Sequence, residues 1–214
     1  MVIDTQILDE VWQQVLDEVW QQVWLTLAPT HSAPDLHRVL HAYAEPQRHY
    51  HTVQHLHECL SWWQRCQTMM QRPAEVALAL FYHDVVYDPK RSDNELKSAQ
   101  LMLSHVHDIL PQDSAERIYR WILATAHHGA DTRLEPDDVH WVLDIDLGIL
   151  SADAERFQEY ERQIRMEYRH VPQLIYRCKR RQVLRTFAQT ERLYRTDYFH
   201  THLERPAKAN LLAI

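Results

Sequence analysis

Only two glycines, Gly129 and Gly148, occur in 214 residues. Hairpin turns and phosphate-cradling glycine loops therefore have almost no raw material, because both rely on backbone conformations that other residues adopt only at a cost. Cysteine is nearly as scarce. Cys59, Cys66 and Cys178 are an odd number without CxxC spacing, so neither a disulfide scaffold nor a thiolate zinc site is expected, and the three read as small apolar residues of a helical core. No apolar run approaches the roughly 20 residues a membrane helix needs, and the acidic N-terminus lacks a basic-then-apolar signal segment, so a cytoplasmic protein is expected. Basic charge is not in excess either: the formal charge of -7 favours solubility and argues against a nucleic-acid or membrane coat.

What is present points to helices. With 45% hydrophobic residues, residues 1–214 can bury a full core as one domain. Apolar residues recur three and four positions apart nearly everywhere, which predicts helices over about 4–27, 33–43, 50–71, 73–87, 93–107, 112–127, 137–150, 152–169, 172–189 and 201–212. The nine prolines are expected to punctuate these segments. The octapeptide LDEVWQQV occurs at Leu8 and again at Leu16. Eight helical residues turn through roughly 800°, leaving the second copy rotated by about 80°, so the repeat reads as a lengthened first helix and not as a solenoid. From Arg162 to Arg185 there are eight Lys or Arg and one acid, Glu167. That run is read as a solvated helix face, with a phosphate-binding wall as the alternative.

Three stretches carry chemistry. In FYHDVVYD (Phe81–Asp88), His83 and Asp84 end a run whose apolar residues surround the helix on all sides, leaving the pair no solvent face. A buried carboxylate needs a compensating charge, and either an arginine or a metal would supply it. In RHYHTVQHLHE, His51 and His55 stand one helical turn apart, opposite the stripe Val53, Leu56, Leu60 and Trp63, and so address one small volume or are simply exposed. His49 and His57 lie off that face. In WVLDIDLGIL the apolar arc centres near Asp146, whereas Asp144 falls on the other side beside Gly148. Two imidazoles and two carboxylates make a neutralising donor set for a divalent ion.

His55, then His83 with Asp84, then Asp146 follow the H…HD…D order of the HD superfamily of metal-dependent phosphohydrolases. The pieces RHYHTVQH, FYHDVVYDPKRSDNELKSA, TAHH, DIDLGIL, RMEY and YRTDYFHTHLERPAKANL resemble a branch of uncharacterised bacterial HD proteins, from about Arg48 to the C-terminus. The resemblance implies an all-α, HD-like bundle of about 8–10 helices and metal ligation by His55, His83, Asp84 and Asp146. The ion would be Mn, Fe, Co, Ni, Mg or Zn, since mixed N/O ligation does not choose among them. YHTVQH resembles the YHNxxH motif of cyclic-nucleotide phosphodiesterases, which makes His51 the acid that protonates the leaving group. HDVVYD keeps Asp88 of the HDxxED pattern of stringent-response hydrolases but has Tyr87 in place of its glutamate.

The implied activity is hydrolysis of a small phosphate ester, a nucleotide among the candidates, by water that the metal activates. Asp88 or Glu95 is expected to orient that water, and Arg48, Lys97 or a basic residue of 177–185 to hold non-bridging oxygens. In TAHHG, His128 is expected to line the pocket, with no second metal. The expected partners are the phosphorylated substrate and, at most, further copies of the chain. Two other readings stand beside this one: a ligand-binding or regulatory HD module without turnover, kept open by Tyr87, and a helical nucleic-acid binder using 162–185, which the acidic total opposes.

Overall fold

The computed structural model describes residues 5–127 and 137–213, the side chains of 5–11 and 127 excepted. Among the described residues there is no strand. The helices are α1 Thr5–Leu27, α2 Leu36–Tyr43, α3 Val53–Cys66, α4 Pro73–Tyr82, α5 Asn94–Val106, α6 Gln112–Ala124, α7 Val139–Asp146, α8 Ala154–Glu167, α9 Gln173–Gln189 and α10 Asp197–Leu212, with short 3-10 turns after α3, α6 and α7. None of them is long and apolar enough to cross a membrane.

α4 is the axis of the bundle. Pro73 occupies its first turn, where the missing N–H costs nothing, and Ala74 through Tyr82 are all buried. A helix apolar on every side must be enclosed, and α4 packs against α1, α3, α5, α6 and α7. Its one acid on the way, Glu75, is neutralised by a two-pronged bond from Arg117 of α6 (2.6 and 2.8 Å) and a hydrogen bond from Ser114 (2.8 Å). The buried hydrophobic cluster is continuous from Leu16 to Leu211.

The two octapeptide copies meet different surroundings, as their rotation requires. Leu16, Val19, Trp20 and Val23 of the second copy are all at most 1% exposed, whereas Trp12 and Val15 of the first are only partly covered and Trp12 stacks on His57 at 5.2 Å.

Three expectations need correction. α3 begins at Val53 and not near 50, because Thr52 is extended (φ -112°, ψ -177°); His51 therefore precedes the helix. α10 runs through Pro206 instead of being punctuated by it. The helix is held on both sides of the proline by buried Phe199, Ala207 and Leu211, and Asn210 donates to the carbonyls of Leu150 and Ala152 (2.9 and 2.8 Å). Asp144 is not on an outer face but 1% exposed. It accepts from Arg195 N (2.8 Å), Thr196 N (2.7 Å) and Thr196 Oγ1 (2.6 Å), fixing the residue whose side chain caps α10. Asp144→Ala would strand these donors, and we expect a loss of about 3 kcal/mol or more, seen as a fall in Tm of roughly 6–12 °C for a chain of this size. An unchanged Tm would exclude this role.

Candidate metal centre

Three elements end on one point. His55 sits in the first turn of α3, Asp146 is the last residue of α7, and His83 and Asp84 follow the last residue of α4. His83 keeps helical angles (φ -57°, ψ -37°) and its Nδ1–H donates to the Leu80 carbonyl at 2.7 Å. That bond fixes the ring and leaves Nε2 as the free face, as second-sphere partners of ligating histidines do. His55 lies opposite the apolar stripe of α3, as the sequence suggests, yet it is 2% exposed. The far side of the helix is covered by the turn carrying His83 and by Tyr50, whose ring centroid is 4.7 Å from that of His55.

The distances are those of donors that share an ion. His55 Nε2 and His83 Nε2 are 3.1 Å apart. Asp84 Oδ2 is 3.0 Å from His83 Nε2 and 3.5 Å from His55 Nε2. Asp146 Oδ1 is 3.2 Å from His55 Nε2 and 3.5 Å from His83 Nε2. With metal–ligand bonds of about 2.1 Å, neighbouring donors lie about 3.0 Å apart on an octahedron and about 3.4 Å apart on a tetrahedron. The residues therefore fit a divalent ion. Cys59 Sγ joins three of these four: donor atoms of His55, Cys59, His83 and Asp146 all lie within 4.8 Å of one another, a group that does not include Asp84.

Electrostatics point the same way. Burial opposes charge on His83, but the carboxylates of Asp84 and Asp146 carry its pKa well above the usual imidazole value. Burial likewise opposes ionisation of Asp84, and the His83 and His51 rings and hydrogen bonds from the imidazoles outweigh it, holding the carboxyl well below its ordinary range. Among the described residues, no arginine neutralises this carboxylate. Arg48, 5% exposed, donates instead to the carbonyls of His51, Asp84 and Val85 (3.1, 2.7 and 2.9 Å) and to Glu45 (3.1 Å). It braces the turn with four of its five N–H donors, and its side chain is fully buried, so it is not presented to a substrate oxygen as the sequence reading expected.

His51 stands at the edge of the cluster, its Nε2 4.0 Å from Asp84 Oδ2. Its orientation comes from a residue to which the sequence reading gave no role. Glu167, the last residue of α8, is 3% exposed. Its Oε1 accepts from the consecutive N–H groups of His49, Tyr50 and His51 (2.9, 2.8 and 3.0 Å), and its Oε2 from His51 Nδ1 and the Tyr87 hydroxyl (both 2.8 Å). Tyr87 also stacks on the His51 ring, with centroids 4.1 Å apart. The available signals were the single acid in a basic run and the RMEY piece. For Cys59, the signal was its place four residues after His55 on α3.

The remaining candidates are dispersed. A cavity of about 470 Å³ opens beside His51, Asp84 and Asp146, and Glu95 and Tyr87 line it. Asp88 does not line it; the Asp88 carboxylate closes a turn by accepting from Lys90 N at 2.9 Å, which removes it from water orientation at the cluster. Lys97 is exposed and away from the cavity lining. Of the basic run 177–185, Arg180 reaches the wall, with its guanidinium held by Glu161. His128 lies outside the described residues. A second cavity, of about 430 Å³, is lined by His55, Cys59 and Asp146, and Trp62 on its wall touches the Cα side of Gly148, where a Cβ would come within 3.0 Å of the indole.

Comparison with protein-family models, with curated proteins and with solved structures returns no match. The class that the fold and cluster define is thus an all-helical protein with a His, Cys and Asp site able to hold a metal ion.

Proposed function

We propose that the chain is a metal-dependent phosphohydrolase of the HD type, acting on small phosphate esters, nucleotides among them. The observation that carries this reading is the convergence of His55, His83, Asp84 and Asp146, from three separate segments, at 3.0–3.5 Å contacts next to an oriented His51. A divalent ion held by these four residues supplies neutralising charge for a phosphoryl group and lowers the pKa of water.

The protein's own groups do the rest. His51 Nδ1–H donates to Glu167, so Nε2 is the atom that carries the transferable proton, and it points to the cluster. In its protonated form His51 delivers that proton to the departing ester oxygen. Glu167 and Tyr87 act through His51: the carboxylate fixes its tautomer and the stacked phenol ring its plane. Tyr50, Tyr160 and Tyr168 wall the cavity and limit water around the ester. Arg91 lines it too, paired with Asp93 at the surface (2.6 and 2.8 Å). Such an exposed pair is weak enough to yield the guanidinium to a phosphate oxygen.

The test is a panel of phosphomonoesters and linear and cyclic nucleotides, offered to the chain with Mn²⁺, Co²⁺, Zn²⁺ or Mg²⁺. Phosphate or alcohol should be released from at least one compound, stop on chelation and resume when metal is restored. Tight binding of a panel member without product would make the chain a regulatory module instead, and salt-dependent retention of DNA or RNA would favour a nucleic-acid binder.

A further inference from the structure

Cys59 is the one metal-philic side chain of the cluster that the phosphohydrolase reading leaves unused. It is 2% exposed and free, and it lies one turn after His55 on α3. Its Sγ is 3.7 Å from His55 Nε2 and 3.8 Å from His55 Nδ1. A buried cysteine alone would be core. Here two further observations bear on it: its sulfur is grouped with donor atoms of His55, His83 and Asp146 within 4.8 Å, and it lines the second cavity together with His55 and Asp146.

The geometry points to Cys59 as a thiolate ligand of the metal centre, which makes the site selective for Zn²⁺, Co²⁺ or Fe²⁺ over Mg²⁺ and Mn²⁺. This rests on the reading of His55, His83, Asp84 and Asp146 as metal ligands and narrows the choice of ion. With five protein ligands the ion would be five- or six-coordinate, and with bonds of about 2.3 Å to sulfur and about 2.0 Å to nitrogen, neighbouring thiolate and imidazole lie about 3.0 Å apart at about 90° and about 3.7 Å apart at about 120°. The observed 3.7 Å to His55 Nε2 falls in that range, while the 3.8 Å to Nδ1 sets the sulfur beside the ring, so ligation would move it toward the Nε2 side. Among the described residues the sulfur's hydrogen-bond-range contacts are both to the His55 ring, and no backbone carbonyl competes for the thiol. On ligation the S–H bond breaks, its proton leaves to solvent through the adjoining cavity, and the sulfur keeps the electron pair that it donates to the ion. Soft thiolate adds affinity for zinc-like ions and little for hard ions that prefer oxygen. The choice of metal is then set by a residue that lines a different cavity from the acid His51.

The experiment is cobalt substitution of the full chain carrying Cys178→Ser, which removes the exposed thiol. Visible d–d absorption shows that the cluster binds the ion; a near-ultraviolet sulfur-to-cobalt charge-transfer band shows that the thiolate is among the ligands. Both are expected. Adding Cys59→Ser should keep the visible bands, abolish the near-ultraviolet band and weaken Zn²⁺ binding by roughly tenfold or more, with Mg²⁺ and Mn²⁺ affinity unchanged. Adding Cys66→Ser instead should leave every band in place. Visible bands without charge transfer, or a charge-transfer band that survives Cys59→Ser, would overturn thiolate ligation while leaving the four-residue centre standing. Absence of any cobalt spectrum would remove that centre itself, and this inference with it. Should Cys59→Ser not fold, the Cys178→Ser spectrum decides alone.

Discussion

Asp84→Ala is expected to strip the protein of its metal and, with it, of any phosphatase activity, while the helical circular dichroism stays that of the parent chain. Among the described residues the carboxylate meets imidazoles alone: His83 at 3.0 Å, His55 at 3.5 Å and His51 at 4.0 Å. No backbone donor among the described residues depends on it, and the turn that carries it is braced through its carbonyl by Arg48. Loss of the side chain should therefore leave the fold standing. The centre is another matter. Removing outer-sphere partners of metal ligands already costs 10–100-fold in affinity, so deleting an anionic ligand should cost more than about 100-fold. Elemental analysis after gel filtration reads this directly. Equal metal content in variant and parent would show that Asp84 is not a ligand and would withdraw the hydrolase proposal.

Glu167→Gln has the second large effect, and it separates orientation from ligation. Glu167 is no part of the cluster, so metal content should stay at the parent level. Activity should fall by about 10²-fold or more, the scale on which a positioned general acid contributes. Stability should fall as well, with a dependence on pH that identifies the cause. Burial works against the Glu167 carboxylate, but the His51 ring and the N–H groups of His49 and His51 outweigh it and pull the pKa from 4.5 down to about 2. A folded-state value below the unfolded one means that the ionised carboxylate stabilises the fold above the unfolded pKa and that this help disappears as the pH drops toward the folded value. The contribution is about 3 kcal/mol at neutral pH and shrinks to roughly half by about pH 3. Urea unfolding should show parent and variant differing by about that amount at neutral pH and converging in acid. A gap independent of pH would exclude ionic anchoring by Glu167, and loss of metal in the variant would mean that it shapes the centre as well.

The helices were legible because each buries a periodic face. The predicted spans 112–127 and 172–189 differ from α6 with its 3-10 turn and from α9 by at most one residue at either end. The four-donor cluster was legible for a related reason: His83, Asp84 and Asp146 interrupt apolar surroundings, and a polar group set among buried residues must have a partner. His51 was mislocated on a helix because Thr52 terminates α3 through its backbone conformation, which the pattern of side chains does not encode. Asp144 was misjudged because a wheel drawn for α7 alone does not include the 195–196 backbone that covers its other side. Glu167 escaped for the same reason at longer range: its five donors lie 80 to 118 residues away.

Because the two LDEVWQQV copies are adjacent and identical, excising either one leaves the same shortened chain. Whichever copy is nominally lost, the survivor precedes Trp24 directly and so inherits the inward-facing register of Leu16, Val19, Trp20 and Val23. A slip during copying of the gene that gains or drops the unit would thus change the length of the first rod and the fate of one tryptophan against His57, while the interior of the bundle keeps the neighbours it has.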